Sequence, residues 1–494
     1  MRYLVFLNAV ACLCLLSLAA CETDITGVAG LNSSSSRLTG DVESDGAGEN
    51  YAGIVENPFI KTVEEPTSTF SIDADGAAYA NMRRMLRAGI LPIKDAIRTE
   101  ELVNYFHYDY PEAGTDPISL DGEIAACPWS EGHKLIRVGI KGKSIPQADI
   151  PLSNYVLLVD VSGSMSSDDK LALLKKAFSN YVMTMRAQDR IAIVTYAGEA
   201  GLALGSTPGT QKTRILDAIQ NLGAGGSTAG AEGILTAYKI AEEYYIPAGN
   251  NRIILGTDGD FNVGPSSTDE LVKIIEEERE KGIFLTVLGV GTGNLNDHML
   301  ELISNHGNGT YEYIDNEKQA EKVFSYEIGK FFTVAKDVKV QVSFNPQLVE
   351  QYRLIGYENR VLQNEDFEND KKDAGEIGAG QTITALYEII PAGGDRNLPA
   401  LSIGFRYKEP QASVSTDMTL EIRDHNLGFD EATENTRFAS AVASYGLLIR
   451  DSEYRGSTSF DKIITWAEKS KSFDPHGYRS EFIDLVKEAK KLKD

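Results

Sequence analysis

Cysteine is scarce in this 494-residue chain: there are four, and three of them, Cys12, Cys14 and Cys21, crowd into the amino-terminal end. Only Cys127 remains in the body, so neither a disulfide framework nor a cysteine-based metal site can be built there. Its simplest role is that of a small buried apolar residue. Positive charge is in deficit too, with 48 Lys and Arg against 72 Asp and Glu and a net charge of −24. Such a surface argues against nucleic acid and against adsorption to anionic lipid, and favours solubility and the attraction of cations. Signatures of catalysis are missing: there is no Gly-x-Ser-x-Gly elbow, no Walker loop and no His-Glu-x-x-His. The histidines, His107, His133, His298, His306, His425 and His476, are scattered without ligand spacing, which leaves them ordinary surface or structural roles. No repeat of solenoid length is evident.

What is present begins with Arg2 and an uncharged apolar stretch over residues 4–20, too short and too closely followed by polar chain for a spanning helix. The stretch ends Leu18-Ala19-Ala20-Cys21, which resembles a bacterial lipobox. The resemblance implies a signal peptide over 1–20 and acylation of Cys21, which becomes the first residue of the mature protein. Acyl chains contribute about 0.8 kcal/mol per buried methylene, so two or three chains anchor a protein firmly without a membrane-spanning segment. The expected location is the bacterial cell envelope, lipid-anchored at the inner or outer membrane, periplasmic or surface-exposed. The alternative is a plain signal peptide with a cysteine at the cut.

Length sets an expectation of two or three domains, and 42% hydrophobic residues supply their cores. Residues 21–55 are rich in Ser, Gly and Asp, including Ser33 to Ser36 and Asp45-Gly46-Ala47-Gly48, and read as a disordered tether spanning on the order of 30 Å. Residues 56–150 read as an α+β domain. It has helices at 79–89 and 99–106, Asp73 and Asp75 placed to cap the first helix, and strands within 118–148 that end in the alternating Leu135-Ile136-Arg137-Val138-Gly139-Ile140. Residues 152–333 change character. Short apolar runs at 155–159, 191–194, 253–255 and 284–288 are separated by amphipathic helices, one of them carrying Leu171, Leu174, Phe178, Tyr181, Val182 and Met185 on one face. Another helix opens with a Ser267/Glu270 capping box and closes at Gly282. Strands buried on both faces and alternating with helices specify a doubly wound, mostly parallel α/β sheet. Residues 334–425 return to strands, at 337–344, 382–389, 400–407 and 418–422, expected to pack with those of 118–148 as a sandwich into which the α/β domain is inserted. Helices near 432–451, 459–470 and 478–492 close the chain, within a carboxy-terminal segment of 430–494.

Ligands of open α/β sheets sit beyond the carboxyl ends of the strands, where the strand order reverses. The first strand of this domain runs into Asp160-Val161-Ser162-Gly163-Ser164, one carboxylate and two hydroxyls on a tight loop. The strand at 253–255 ends in Thr257-Asp258-Gly259, and between them Gly225-Gly226-Ser227-Thr228 offers a further hydroxyl. Hard oxygens without His or Cys suit Mg²⁺, Mn²⁺ or Ca²⁺ and disfavour zinc. A haloacid-type phosphatase would need Asp-x-Asp where Ser162 stands. The glycines of 223–226 and 289–291 do not follow the first strand as a dinucleotide fingerprint would.

This combination resembles the metal-ion-dependent adhesion site of von Willebrand factor A domains, over roughly residues 152–333. The resemblance implies that Asp160, Ser162, Ser164, Thr228 and Asp258 hold a divalent cation, Mg²⁺ first, with Mn²⁺ or Ca²⁺ possible. In that family the serines and threonine often bind directly and the aspartates partly through water. Phe70-Ser71-Ile72-Asp73, Glu101 to Phe106 and Tyr352 to Arg360 are similar to a group of bacterial A-domain lipoproteins with a family-specific amino-terminal domain and a carboxy-terminal domain of unknown function. The expected function is a membrane-anchored, metal-dependent binding module whose ion captures an acidic side chain of an unidentified partner protein. It is expected to be no enzyme and to bind no nucleic acid; its oligomeric state is unspecified. The alternatives are a scaffold whose metal is absent or only stabilising and, behind it, a metal-dependent hydrolase.

Overall fold

The computed structural model describes residues 48–72, 75–197, 199–226, 230–259 and 268–493. The expected signal peptide, the expected acylation site Cys21, the part of the expected tether up to residue 47, and Asp73, Ser227, Thr228 and Ser267 lie outside the described residues.

The α/β domain is one sheet of β1 (Ser153–Asp160), β2 (Arg190–Ala197), β3 (Glu199–Pro208), β4 (Asn250–Thr257), β5 (Ile283–Val290) and β6 (Tyr311–Ile314). Their spatial order is β6-β5-β4-β1-β2-β3, parallel throughout except for the antiparallel edge strand β3. Side-chain alternation along β1 explains the two layers of helices. Tyr155, Leu157 and Val159 pack with α1 (Leu171–Thr184) and α2 (Lys212–Gln220) through Leu174, Phe178, Ile215 and Ile219. Val156 and Leu158 meet α3 (Gly230–Glu243), α4 (Thr268–Glu280) and α5 (Asp297–His306) through Ile234, Leu271, Ile275 and Leu300. Gly256 sets how closely α1 approaches: a β-carbon there would fall 2.7 Å from Leu174 Cδ1 and 3.3 Å from Phe178 Cζ.

Two antiparallel sheets flank this domain. One is ordered Ile60–Lys61, Val349–Ile355, Thr382–Pro391, Lys134–Gly142, Ile118–Ala126. The other is ordered Val361–Leu362, Thr67–Ser71, Thr333–Phe344, Leu401–Lys408, Thr416–Ile422. Each mixes strands from before and after the α/β domain. Thr382–Pro391 pairs with Lys134–Gly142 from Thr382↔Lys141 to Ile389↔Lys134, and Thr67–Ser71 pairs with Thr333–Phe344. Phe70, Val340, Ile403 and Phe405 share a core with Ile136, Val138, Tyr352 and Tyr387. The expected class, an α/β sheet inserted between β-rich segments and followed by helices, is the fold observed. Helices Glu434–Ile449, Phe460–Glu468 and Tyr478–Lys493 pack with Ala77–Arg87 and Thr99–Asn104 in a further core that includes Tyr79, Phe106, Phe438 and Phe482.

Two local expectations are corrected. Asp75 does not cap the helix Ala77–Arg87: Gly76 occupies the cap position without a side-chain bond, and the Asp75 carboxylate accepts the N–H of Tyr311 on β6 at 2.8 Å. The free N–H of Ala78 goes instead to Glu101 at 2.8 Å. Nor do residues 48–55 form part of the expected tether 21–55. Asn50 N–H donates to Leu295 O at 2.8 Å, the Glu49 carboxylate accepts from Gly293 N–H at 3.1 Å and from Arg84 at 2.8 Å, and Tyr51 is buried. Polar composition alone suggests free chain here, but Glu49 and Asn50 pair with the body. Among the described residues no helix is long and apolar enough to cross a membrane.

Buried charge joins the parts. Arg83, on Ala77–Arg87, donates to both oxygens of Asp315 beyond β6 (2.8 and 2.5 Å) and to Glu481 on the last helix at 2.9 Å. Arg98 likewise bonds Asp297 at the start of α5 and Glu101. Removing one partner of a buried pair strands the other charge, at a cost of about 3–5 kcal/mol. Urea unfolding of Arg83→Met should therefore show a loss of roughly that size. The added change Asp315→Asn should recover part of it; equal stability of wild type and single variant would remove Arg83 as the joint.

Candidate metal centre

β1 lies between β2 and β4, so the chain turns to opposite sides of the sheet on leaving and returning to it, and a crevice opens at its carboxyl end. The parallel register Val159↔Gly256 brings Asp160, which ends β1, beside Thr257 and Asp258 at the end of β4. Both aspartates are fully buried. The backbone N–H of Ser162 donates to Asp160 Oδ1 at 2.9 Å, and the hydroxyls of Tyr196 and Thr257 donate to Oδ2, each at 3.2 Å. Past Asp160 a short 3-10 turn, Gly163–Ser166, is anchored by buried Met165 and turns two hydroxyls toward each other, Ser162 Oγ and Ser164 Oγ standing 2.9 Å apart. Ser164 is exposed, so the cluster opens to solvent.

The glycine run between the two strands is fastened to this turn. Gly225 N–H donates to Val161 O at 2.7 Å and Gly163 N–H to Gly226 O at 3.1 Å. That fixes the chain two residues short of Thr228, which is itself outside the described residues. Four of the expected ligand residues, Asp160, Ser162, Ser164 and Asp258, thus gather at the ends of neighbouring strands.

The two carboxylates differ electrostatically. Burial pushes the Asp160 pKa above the ordinary carboxylate range, against hydrogen bonds from Ser162 and Tyr196, and the charge of Asp258 pushes the same way. Burial works against ionised Asp258 as well, but hydrogen bonds with Lys170, Asn294 and Ser164 outweigh it and hold its pKa below that range. Lys170 Nζ donates to Asp258 Oδ2 and to Asn294 Oδ1, both at 2.9 Å. Sequence reasoning did not find Lys170, Asn294 or Tyr196. Lys170 directly precedes a helix where a solvated lysine is ordinary, and Tyr196 reads as strand core; only the fold brings them to the aspartates.

The donor set is carboxylate and hydroxyl oxygen, which fits a hard divalent ion. Among the described residues no group of three or more His, Cys, Asp and Glu is placed to hold a metal ion.

Residues 154–325 match the von Willebrand factor type A domain. The chain belongs to the von Willebrand factor type A domain proteins. Residues 45–137 match a second model described as von Willebrand factor, and residues 329–492 match the carboxy-terminal domain of the uncharacterized protein YfbK. The uncharacterized protein YfbK of Escherichia coli K12 is 41% identical over 465 residues, covering 88% of this chain and 80% of the relative. Human inter-alpha-trypsin inhibitor heavy chain H2 is 26% identical over 201 residues, covering 39% of this chain and 21% of its own length. A solved structure, von Willebrand factor type A from Catenulispora acidiphila, aligns with TM-score 0.43 and 18% identity over 74% of this chain and 90% of that one.

The raised Asp160 pKa fixes a sign. A carboxyl raised by folding contributes stability below its unfolded pKa, and that stability is lost as pH rises through the folded pKa. Tyr196→Phe removes a donor that favours the ionised form and raises the folded pKa further. Urea unfolding at pH 8 should show a loss of about 1–3 kcal/mol, shrinking toward pH 4 as Asp160 protonates. A loss independent of pH would assign Tyr196 to packing alone.

Proposed function

We propose that this chain is a metal-dependent protein-binding module of the bacterial envelope, anchored through acylated Cys21. The type A domain marks it as an adhesion-type, protein-interaction module; the ion, the anchor and the kind of partner are this reading's additions. The observation that carries it is the convergence of Asp160, Ser162, Ser164 and Asp258 at the ends of two adjacent parallel strands. With Thr228 they would hold Mg²⁺, or Mn²⁺ or Ca²⁺, and the bound ion would supply a Lewis-acidic position for an acidic side chain of a partner protein. The chain's own part is to aim the hard oxygens, keep Asp160 dry and leave Ser164 facing solvent. Catalysis has little support: a carboxylate held by hydroxyl donors and another paired with lysine do not make a nucleophile and base.

A second reading, a scaffold without a working ion, draws on one observation: the Lys170 ammonium on Asp258 already offsets part of the acidic charge. Titration calorimetry of the full chain in detergent separates the two. Saturable Mg²⁺ or Mn²⁺ binding is expected, abolished in Asp160→Ala and weakened at least tenfold in Ser162→Ala, roughly the loss of one direct ligand. Thermal melts of both variants control for folding. A wild type that takes neither ion supports the scaffold.

A further inference from the structure

Lys170 is built into the site more firmly than an incidental salt bridge requires. It precedes α1 and is buried, although a lysine stem ordinarily carries its ammonium out to water. The stem crosses Gly291, the first residue after β5, where a β-carbon would fall 2.4 Å from both Cγ and Cε of the lysine. Gly291 also adopts φ +73°, a conformation that residues with side chains rarely take. At the far end Nζ is held by Asp258 and Asn294. Asn294 is itself on a fastened loop: Gly293 N–H bonds Glu49, Leu295 O accepts from Asn50, and Arg84 grips Glu49. The ammonium is therefore placed, not merely available.

We propose that Lys170 sets the charge of the metal centre, making the ion-loaded cluster net positive and so selecting an anionic ligand, a carboxylate, at the expense of affinity for the ion itself. This rests on the divalent-ion reading above. Asp160 and Asp258 carry two negative charges, the ion two positive ones and the hydroxyls none; Lys170 leaves one positive charge over. Without it the loaded cluster would be neutral, and a carboxylate would gain only its local bond to the ion, with no net charge drawing it in. The sum explains how a chain of net charge −24 presents a cationic spot.

The test uses the full chain with Mn²⁺ alone and then with acetate, read by water-proton relaxation, in wild type, Lys170→Gln and Lys170→Arg, with Asp160→Ala as the blank for sites elsewhere. Removing one charge a few ångströms from the ion should tighten Mn²⁺ roughly tenfold and weaken acetate on the loaded site by a similar factor, with Lys170→Arg returning toward wild type. Should Lys170→Gln fail to fold, Gly291→Ala displaces the stem and should give the same opposed pair of changes. Tighter Mn²⁺ with unchanged acetate would overturn the proposal, making Lys170 a simple competitor for Asp258. Weaker Mn²⁺ in Lys170→Gln would overturn it too, as a structural role. Absence of Mn²⁺ binding in wild type would instead sink the divalent-ion reading itself.

Discussion

Two buried carboxylates on neighbouring strand ends are the constraint around which this domain is arranged. The charge of Asp258 works against ionised Asp160, and like charges repel by about 4 kcal/mol at about 4 Å even at an effective dielectric of 20. The parallel register leaves no freedom to avoid the encounter, because Asp160 and Asp258 each follow directly from strands whose core residues fix their positions. The surroundings answer in two ways. Asp160 receives a backbone N–H and two hydroxyls, which are dipoles, whereas Asp258 receives a full charge from Lys170. Dipoles leave the net charge in place; an ammonium cancels it. The pair is thus asymmetric, with the remaining negative charge concentrated at Asp160, next to the serine hydroxyls.

Holding such a cluster open demands a rigid frame, and the flanking parts supply it along the β6 edge of the sheet. Arg83 and Arg98 reach from the amino-terminal helical segment to Asp315 beyond β6 and Asp297 at the start of α5. Those contacts grip the β6 edge and leave the carboxyl end of β1 to solvent through Ser164. The helical core that carries Arg83 also includes the last three helices, and the sandwich beneath it is stitched from strands on both sides of the inserted domain. Residues distant in sequence therefore share the work of fixing one crevice.

Much of this was legible because burial leaves a simple trace. β1, β4 and β5 are buried on both faces, and their centres read as short apolar runs; Lys134–Gly142 and Leu401–Lys408 show the period of a sheet core. The edge strand β3 gave no such signal, since Gly201 and Gly205 interrupt it and Leu202 faces solvent. At the site, Asp160, Ser162, Ser164 and Asp258 stood out because closely spaced polar residues after apolar strands are conspicuous. Lys170, Tyr196 and Asn294 did not, since each is ordinary in its own stretch of chain and acquires meaning only from what lies across the crevice. Residues 48–51 show the converse failure, in which local composition said tether while Glu49 and Asn50 found partners in Arg84 and the loop after β5.

The overall charge of the chain bears on how the proposed module would meet its partner. A net charge of −24 repels an acidic protein at long range, yet at physiological salt the field of exposed charges fades over about 8 Å. Inside that distance the local sum would decide, set by the aspartates, the lysine and the proposed ion, not by the seventy-two acidic residues of the whole chain. Recognition of an acidic side chain would then be a contact event: slow to form, because nothing steers the approach, but selective, because a carboxylate that misses the ion meets a chain of net negative charge. Raising the salt would relieve the long-range repulsion and leave the short-range contact with the ion largely untouched, so association should quicken with ionic strength, opposite to the usual behaviour of steered, oppositely charged partners.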